Sequence, residues 1–203
     1  MIYLSSTTGV PEEYKWNEFG IMLSATRIIG GQWDALEQGA KWMMDSGAYS
    51  GKFNYAQWKS HLEKLSHFKR TCLGIPTPDV VGDSEGTLQM FSLYSPVIRE
   101  LGLPVAFVSQ DGCVPDNVPW SEIDVLFVGG TDEHKLGKEA IEIIKRATTE
   151  GKHIHVGRVN SKKRMRMFRG ADSVDGTTLS YVSGGDRIKR ANRFAASVRE
   201  LRA

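Results

Sequence analysis

Val125-Leu126-Phe127-Val128-Gly129-Gly130-Thr131 is an apolar run that stops on a glycine pair. It leads into Asp132–Thr149, where Leu136, Ala140, Ile143, Ile144 and Ala147 fall on one helical stripe, and Gly151 follows as a stop signal. The next run, His153–Gly157, is again short and largely apolar. Such runs fit strands buried on both faces, and a strand, a helix and a second strand make a parallel βαβ unit.

The same unit extends in both directions. Further short runs are Ile2–Ser5, Gly20–Ser24, Trp42–Asp45, Cys72–Pro76, Val105–Ser109 and Ser173–Leu179, giving eight predicted strands. Helical spacing lies over Tyr55–Phe68, Leu88–Leu101 and Asp186–Arg202, with Pro96 a predicted kink or break. Asp111–Asp124 carries two prolines and reads as a loop or short turn. Eight strands alternating with helices predict a single α/β domain over residues 1–203, a compact (β/α)8 barrel. An open doubly wound sheet is the alternative. A typical barrel takes about 250 residues, so this one is at the short limit.

Composition excludes several classes. The chain of 203 residues is 40% hydrophobic and 25% charged, as expected of one globular domain. No apolar run suits a bilayer, and Met1 to Thr8 reads as a first buried strand rather than a signal peptide. Cys72 and Cys113 are the two cysteines, and neither belongs to a C-x-x-C pair, so neither a thiolate zinc site nor a disulfide framework is expected. A cytoplasmic setting fits. The net charge of +2 is mild, but the C-terminal third is basic. Lys162, Lys163, Arg164, Arg166 and Arg169 cluster where Ser161 is placed to cap a short helix, a candidate phosphate-contacting surface or simply a solvated face.

Polar residues recur where the strands end. Asp45-Ser46-Gly47, Pro78-Asp79, Gln110-Asp111-Gly112, Gly129-Gly130 and Gly157-Arg158 follow successive runs, and Asp172-Ser173-Val174-Asp175-Gly176 sits on the eighth. In a parallel barrel these ends converge on one face, where active sites lie. Several carboxylates at one mouth repel unless protonated, paired or engaged by a ligand. That arrangement suits acid–base and nucleophilic chemistry. Each position alone has a plainer reading as a turn or a helix cap, Asp83 among them.

Asp45-Ser46-Gly47-Ala48-Tyr49, Ser109-Gln110-Asp111-Gly112, Val128-Gly129-Gly130 and Asp172-Ser173-Val174 resemble, in order, motifs of the tRNA-guanine transglycosylases. Pro78-Asp79-Val80-Val81-Gly82-Asp83, Gly157-Arg158-Val159-Asn160-Ser161 and Asp172–Gly176 look closer to the short deazaguanine DNA transglycosylases of phages and bacteria. The three-cysteine, one-histidine zinc site of the tRNA enzymes has no counterpart here. The resemblance implies replacement of guanine in DNA by a 7-deazaguanine derivative, without cofactor or metal. DNA, the free base and accessory modification proteins are the implied partners, and a host cytoplasm the setting if a phage encodes the chain.

By that resemblance Asp172 attacks the sugar C1′ and Asp45 moves protons. Asp175, three residues on, is the rival nucleophile. Asp79 and Gln110 bind the base edge, and Gly129 and Gly130 let backbone approach it. Ser46 and Tyr49 line the base site, although Tyr49 has an equal claim as a core aromatic. Arg158 is the preferred phosphate contact, and Asp83 and Asp111 are second-rank candidates. Three other readings stand beside this one: the same chemistry on RNA, a metal-dependent barrel hydrolase built on His153 and His155, and a non-catalytic DNA-binding accessory protein.

Overall fold

The computed structural model describes residues 1–202. Eight parallel strands close into a barrel in chain order: β1 (Ile2–Ser5), β2 (Phe19–Ser24), β3 (Trp42–Asp45), β4 (Cys72–Pro76), β5 (Val105–Ser109), β6 (Val125–Val128), β7 (His153–Val156) and β8 (Ser173–Asp175). Strand β1 pairs with β8 through Ile2, Tyr3 and Leu4, and with β2 through Tyr3, Leu4 and Ser5, which closes the ring. The predicted (β/α)8 barrel is the observed fold, and the open sheet is not.

Among the described residues seven helices surround it: α1 (Gly30–Glu37), α2 (Tyr55–Leu65), α3 (Ser84–Glu100), α4 (Asp132–Leu136), α5 (Lys138–Thr149), α6 (Lys162–Met167) and α7 (Gly184–Arg202). The short length is explained by two connections without an α-helix. β1 reaches β2 through a single 3-10 turn at Glu12–Tyr14, and β5 reaches β6 through 3-10 turns at Pro115–Asn117 and Trp120–Glu122.

Three details differ from the sequence reading. Pro96 does not break α3; its helix runs on to Glu100, with Ser95 and Ile98 buried and Phe91 edge-on to Phe107 of β5. The stripe over Asp132–Thr149 is two helices, because Gly137 is extended and both ends α4 and starts α5. Helix α1 was not legible. It opens on Gly30-Gly31, and Gln32 secures its start by accepting from the Ile29 N–H and donating to the Ser6 carbonyl.

The apolar residues divide by strand parity. One side of the strands faces the helices, with Trp42, Trp58, Phe19, Phe91 and Phe107 fully buried in that outer layer. The other side fills the barrel, where Leu4, Met43, Ala106 and Val125 pack with Ile2, Met22, Leu73 and Phe127. The filling is close enough to demand glycine in places. A Cβ on Gly20 would lie 2.5 Å from the Lys41 carbonyl oxygen and 2.6 Å from Leu4 Cδ2. Overpacking of this kind costs about 1–3 kcal/mol. Gly20→Ala is therefore expected to lower the melting temperature by several degrees, whereas Gly30→Ala, with open space around it, leaves it within a degree or raises it; thermal unfolding followed by circular dichroism checks both.

Candidate active site

The C-terminal ends of the strands enclose an open cavity of about 270 Å³. Its floor is apolar, formed by Met22, Val108 and Phe127 on the barrel interior. Its polar wall draws on six strand ends: Asp45 at the end of β3 with Ser46 after it, Asp79 after β4, Gln110 after β5, Gly129 and Gly130 after β6, Arg158 after β7 and Asp175 on β8. Tyr49 stands at the rim.

Each group is held by its local backbone. The Asp45 carboxylate accepts from the Gly47 N–H at 2.8 Å, in a turn that Gly47 completes with φ of 81°. Ser46 is buried and accepts from the Ala48 N–H, so its hydroxyl oxygen braces the same turn. Gln110 is buried, and its orientation is fixed from both ends. Its Oε1 accepts from the Gly82 N–H at 3.1 Å, and its Nε2 donates to Asp79 Oδ2 at 2.5 Å. A Cβ on Gly129 would lie 2.7 Å from Val108 and 3.2 Å from Gln110 Nε2, and Gly130 has φ of 75°, so this pair is required sterically as well as for access.

Arg158 adopts φ of 59°, a strained choice for a non-glycine residue. The turn is tied down on several sides. Its guanidinium donates to the Gly130 carbonyl at 2.6 Å and covers the Tyr49 ring at 4.8 Å, and its backbone N–H donates to Asp175 Oδ1 at 3.3 Å. Tyr49 is largely exposed, which settles its position at the mouth and against the core.

Electrostatics mark the same residues. Burial pushes the Asp45 carboxyl above its usual range, the Gly47 N–H opposes this, and the nearby Asp175 charge adds to it. Burial also raises Asp79, with the Asp45 charge adding and the Gln110 amide opposing. Two cations line the same cavity. One is Arg158. The other, Lys135 of α4, was not singled out from the sequence. It is buried, donates to the Gly157 carbonyl at 2.8 Å, and desolvation brings its ammonium down to about 8. On a helical stripe a lysine reads as a solvated residue; only the Gly137 break, which ends α4 one turn after β6, distinguishes it.

Asp172 is not at this site. It precedes β8, is exposed at the opposite end of the barrel, and its carboxylate accepts from the Ile154 N–H at the start of β7 at 2.8 Å. Asp124, before β6, does the same for the Val105 N–H at the start of β5. Both aspartates cap a neighbouring strand. Asp175 occupies the mouth instead, because β8 ends there and does not continue to Leu179. Asp172, the expected nucleophile, thus lies away from the cavity, and its expected rival Asp175 lines it.

Asp83 caps α3 by accepting from the Gly86 N–H, and Asp111 accepts from the Thr131 N–H and hydroxyl, so both have structural work outside the cavity wall. Ser161 caps α6, as the sequence suggested, with Met165 buried beneath. The basic cluster on that helix is largely neutralised. Arg164 pairs with Asp132, while Lys162 and Arg166 both pair with Glu200. Lys163 and Arg169 are exposed and form no ion pair among the described residues.

His153 and His155 do point the same way, into the barrel, but their nitrogens engage Ser173 and Asp175. Among the described residues no three His, Cys, Asp or Glu side chains gather as metal ligands. No helix among them is long and apolar enough to cross a membrane.

No protein-family model matches the chain, and no curated protein matches it in sequence. Solved structures match its fold. A mutant tryptophan synthase alpha-subunit from Pyrococcus furiosus superposes with a TM-score of 0.58 at 13% identity, covering 98% of this chain and 95% of that one. KGPDC from Streptococcus mutans superposes at 0.54 and 10% identity, covering 90% and 86%. These likenesses establish the barrel and no more.

The raised carboxyls predict a pH-dependent stability. A folded-state pKa above the unfolded one contributes stability below the unfolded pKa, and this is lost as pH rises through the folded value. When ionised, Asp45 and Asp79 thus work against the fold. Asp45→Asn and Asp79→Asn, which keep an oxygen acceptor, are expected to melt higher than the native chain at pH 7. That advantage shrinks towards pH 4, as thermal melts across the range will report.

Proposed function

We propose that this protein is a base-exchange transglycosylase that replaces guanine in DNA with a 7-deazaguanine derivative through a covalent aspartyl–sugar intermediate. One observation carries the reading. Asp45, Asp79, Gln110 and the Gly129-Gly130 pair, which the transglycosylase resemblance links to proton transfer and base binding, come from successive strands and wall one cavity, with Asp175 beside them.

The chemistry follows from the groups present. Asp175 supplies the carboxylate nucleophile for C1′. Asp45, whose surroundings favour its protonated form, gives a proton to the departing guanine and recovers one from the incoming base. Asp79 accepts from the N–H groups of a guanine-type edge, and the second Gln110 amide proton meets its carbonyl. Arg158 and Tyr49 stand at the rim, where the flanking backbone of an extruded nucleotide passes.

The test is incorporation of labelled guanine or a 7-deazaguanine base into oligonucleotides of DNA and, separately, RNA. Exchange into DNA is expected. Asp175→Asn should abolish it, Asp45→Asn should slow it by about 10²–10⁴-fold, and Asp172→Asn should retain it. Exchange that survives Asp175→Asn overturns the mechanism, and exchange into RNA alone overturns the substrate.

DNA contact is expected from the unpaired cations. Lys163→Ala with Arg169→Ala should weaken binding and reduce the slope of log affinity against log salt by about 2 if both reach phosphates of a duplex. An unchanged slope assigns that face to solvent.

A further inference from the structure

The polar half of the barrel interior lies on β7 and β8. His153 Nε2 is 2.8 Å from Ser173 Oγ, His155 Nδ1 is 2.8 Å from the same oxygen, and His155 Nε2 is 3.0 Å from Asp175 Oδ1. His155 and Ser173 are fully buried. Phe127 of β6 lies against the His155 ring at 4.4 Å and carries no charge. The charged neighbours sit at the two ends of the chain of groups. Asp172 and the Met1 amino group act on His153, and Asp45, Arg158 and Lys135 are near Asp175.

The proton count fixes the direction of these bonds. A carboxylate only accepts, so His155 Nε2 carries hydrogen. In a neutral imidazole Nδ1 then accepts, and the Ser173 hydroxyl donates to it. That hydroxyl has one proton, so it must accept from His153 Nε2. Burial holds His153 towards its neutral form, with His155 adding to the effect and Asp172 opposing it. Every donor in the series therefore points towards Asp175.

Asp175 Oδ1 accepts from both His155 Nε2 and the Arg158 N–H, whereas Oδ2 accepts no hydrogen bond from the described residues. We propose that His155 is a positioning residue for Asp175: it reserves Oδ2 as the attacking oxygen and stabilises the carboxylate that re-forms when the sugar leaves. This rests on the transglycosylase reading. In the first half-reaction an Oδ2 lone pair forms the bond to C1′. The C1′–N bond breaks, and its electron pair leaves on the guanine nitrogen, which takes the Asp45 proton. In the ester, Oδ1 is the carbonyl oxygen and keeps its donors. In the second half the incoming base nitrogen bonds to C1′. The C1′–Oδ2 pair returns to Asp175, and the proton of the base goes to Asp45.

A donor on Oδ1 stabilises the charged carboxylate more than the neutral ester. It therefore tempers ester formation and speeds ester breakdown. A residue with a purely structural role would not separate the two halves.

The experiment uses the full chain, a guanine-containing DNA oligonucleotide and labelled guanine. It reads both exchange rate and covalent adduct on a denaturing gel. His155→Phe, which keeps a ring but no donor, is expected to slow exchange by about 10²-fold, as loss of one preorganised donor does, while adduct accumulates above the native level. His155→Gln restores the donor and should recover most of the rate. In the substrate-free native protein, 15N spectra of the histidines should show His155 protonated at Nε2 and bare at Nδ1. A folded His155→Phe protein with native exchange and native adduct overturns the inference and leaves the transglycosylase reading intact. So does a variant that loses exchange and adduct together. A His155 bare at Nε2 also overturns it. A native protein that neither exchanges base nor forms adduct overturns the reading itself, and the inference about turnover falls with it.

Discussion

The hydrogen-bonded seam between β1 and β8 governs everything above it. Ile2, Tyr3 and Leu4 pair with Ser173, Val174 and Asp175 while β1 also holds β2, so no edge remains open. Closure removes the freedom of each strand to slide or flip. Strand parity then decides which side chains enter the barrel, and height along the strand decides which reach the mouth. Asp172 and Asp175 illustrate both effects. Three residues separate them, an odd number and about 10 Å along a strand. One caps a strand in solvent at the base, and the other lines the cavity.

The same constraint concentrates unfavourable electrostatics at one end. The basal aspartates, Asp124 and Asp172, are exposed and satisfied by strand N–H groups. At the mouth, Asp45 opens onto the cavity and Asp79 is half-buried, both carboxyls are raised, and each feels a neighbouring charge of the same sign. Arg158 is kept in a strained conformation, and Lys135 is buried on a carbonyl with its own charge disfavoured. A barrel selected only for stability has no use for these features together. They are the signature of a preorganised polar site, where groups are held ready for charge that the substrate brings.

The strands were legible because they are buried on both faces and therefore read as continuous apolar runs. Seven of the eight begin at the residue where the run begins, and most errors fall at C-terminal ends, where polar and glycine residues belong equally to strand and turn. Strand β8 shows it, since the run to Leu179 overran a strand that ends at Asp175. Asp172 was the expected nucleophile on the family motif, and it lies outside the cavity that Asp175 lines. Asp45, Asp79, Gln110 and Gly129 escaped the problem because their runs end on them or just before them. Other features are tertiary by nature. Glu200 neutralises Lys162 and Arg166 from more than thirty residues away, and local sequence cannot show it. Lys135 is buried because Gly137 ends α4 directly after Leu136. The relation of His155 to Asp175 depends on the register of β7 against β8, which pairs His155 with Ser173.

Fold likeness at 10–13% identity leaves the chemistry open, so the case for a guanine-type base rests on the cavity wall. The decisive element is the Gln110 amide. With the Gly82 N–H directed at Oε1 and Asp79 at Nε2, the amide cannot flip without losing both bonds. It therefore offers any bound base a donor next to an acceptor carboxylate. A guanine or 7-deazaguanine edge, carbonyl beside N–H, matches that order. An adenine edge would set its amino group against the Gln110 N–H, leaving two buried donors without partners. Unpaired buried polar groups cost about 1–3 kcal/mol each, and sites built on such pairing reject the mismatched ligand far more strongly than a shape filter does. On the proposed reading, base selection is thus imposed by a backbone N–H that never touches the base.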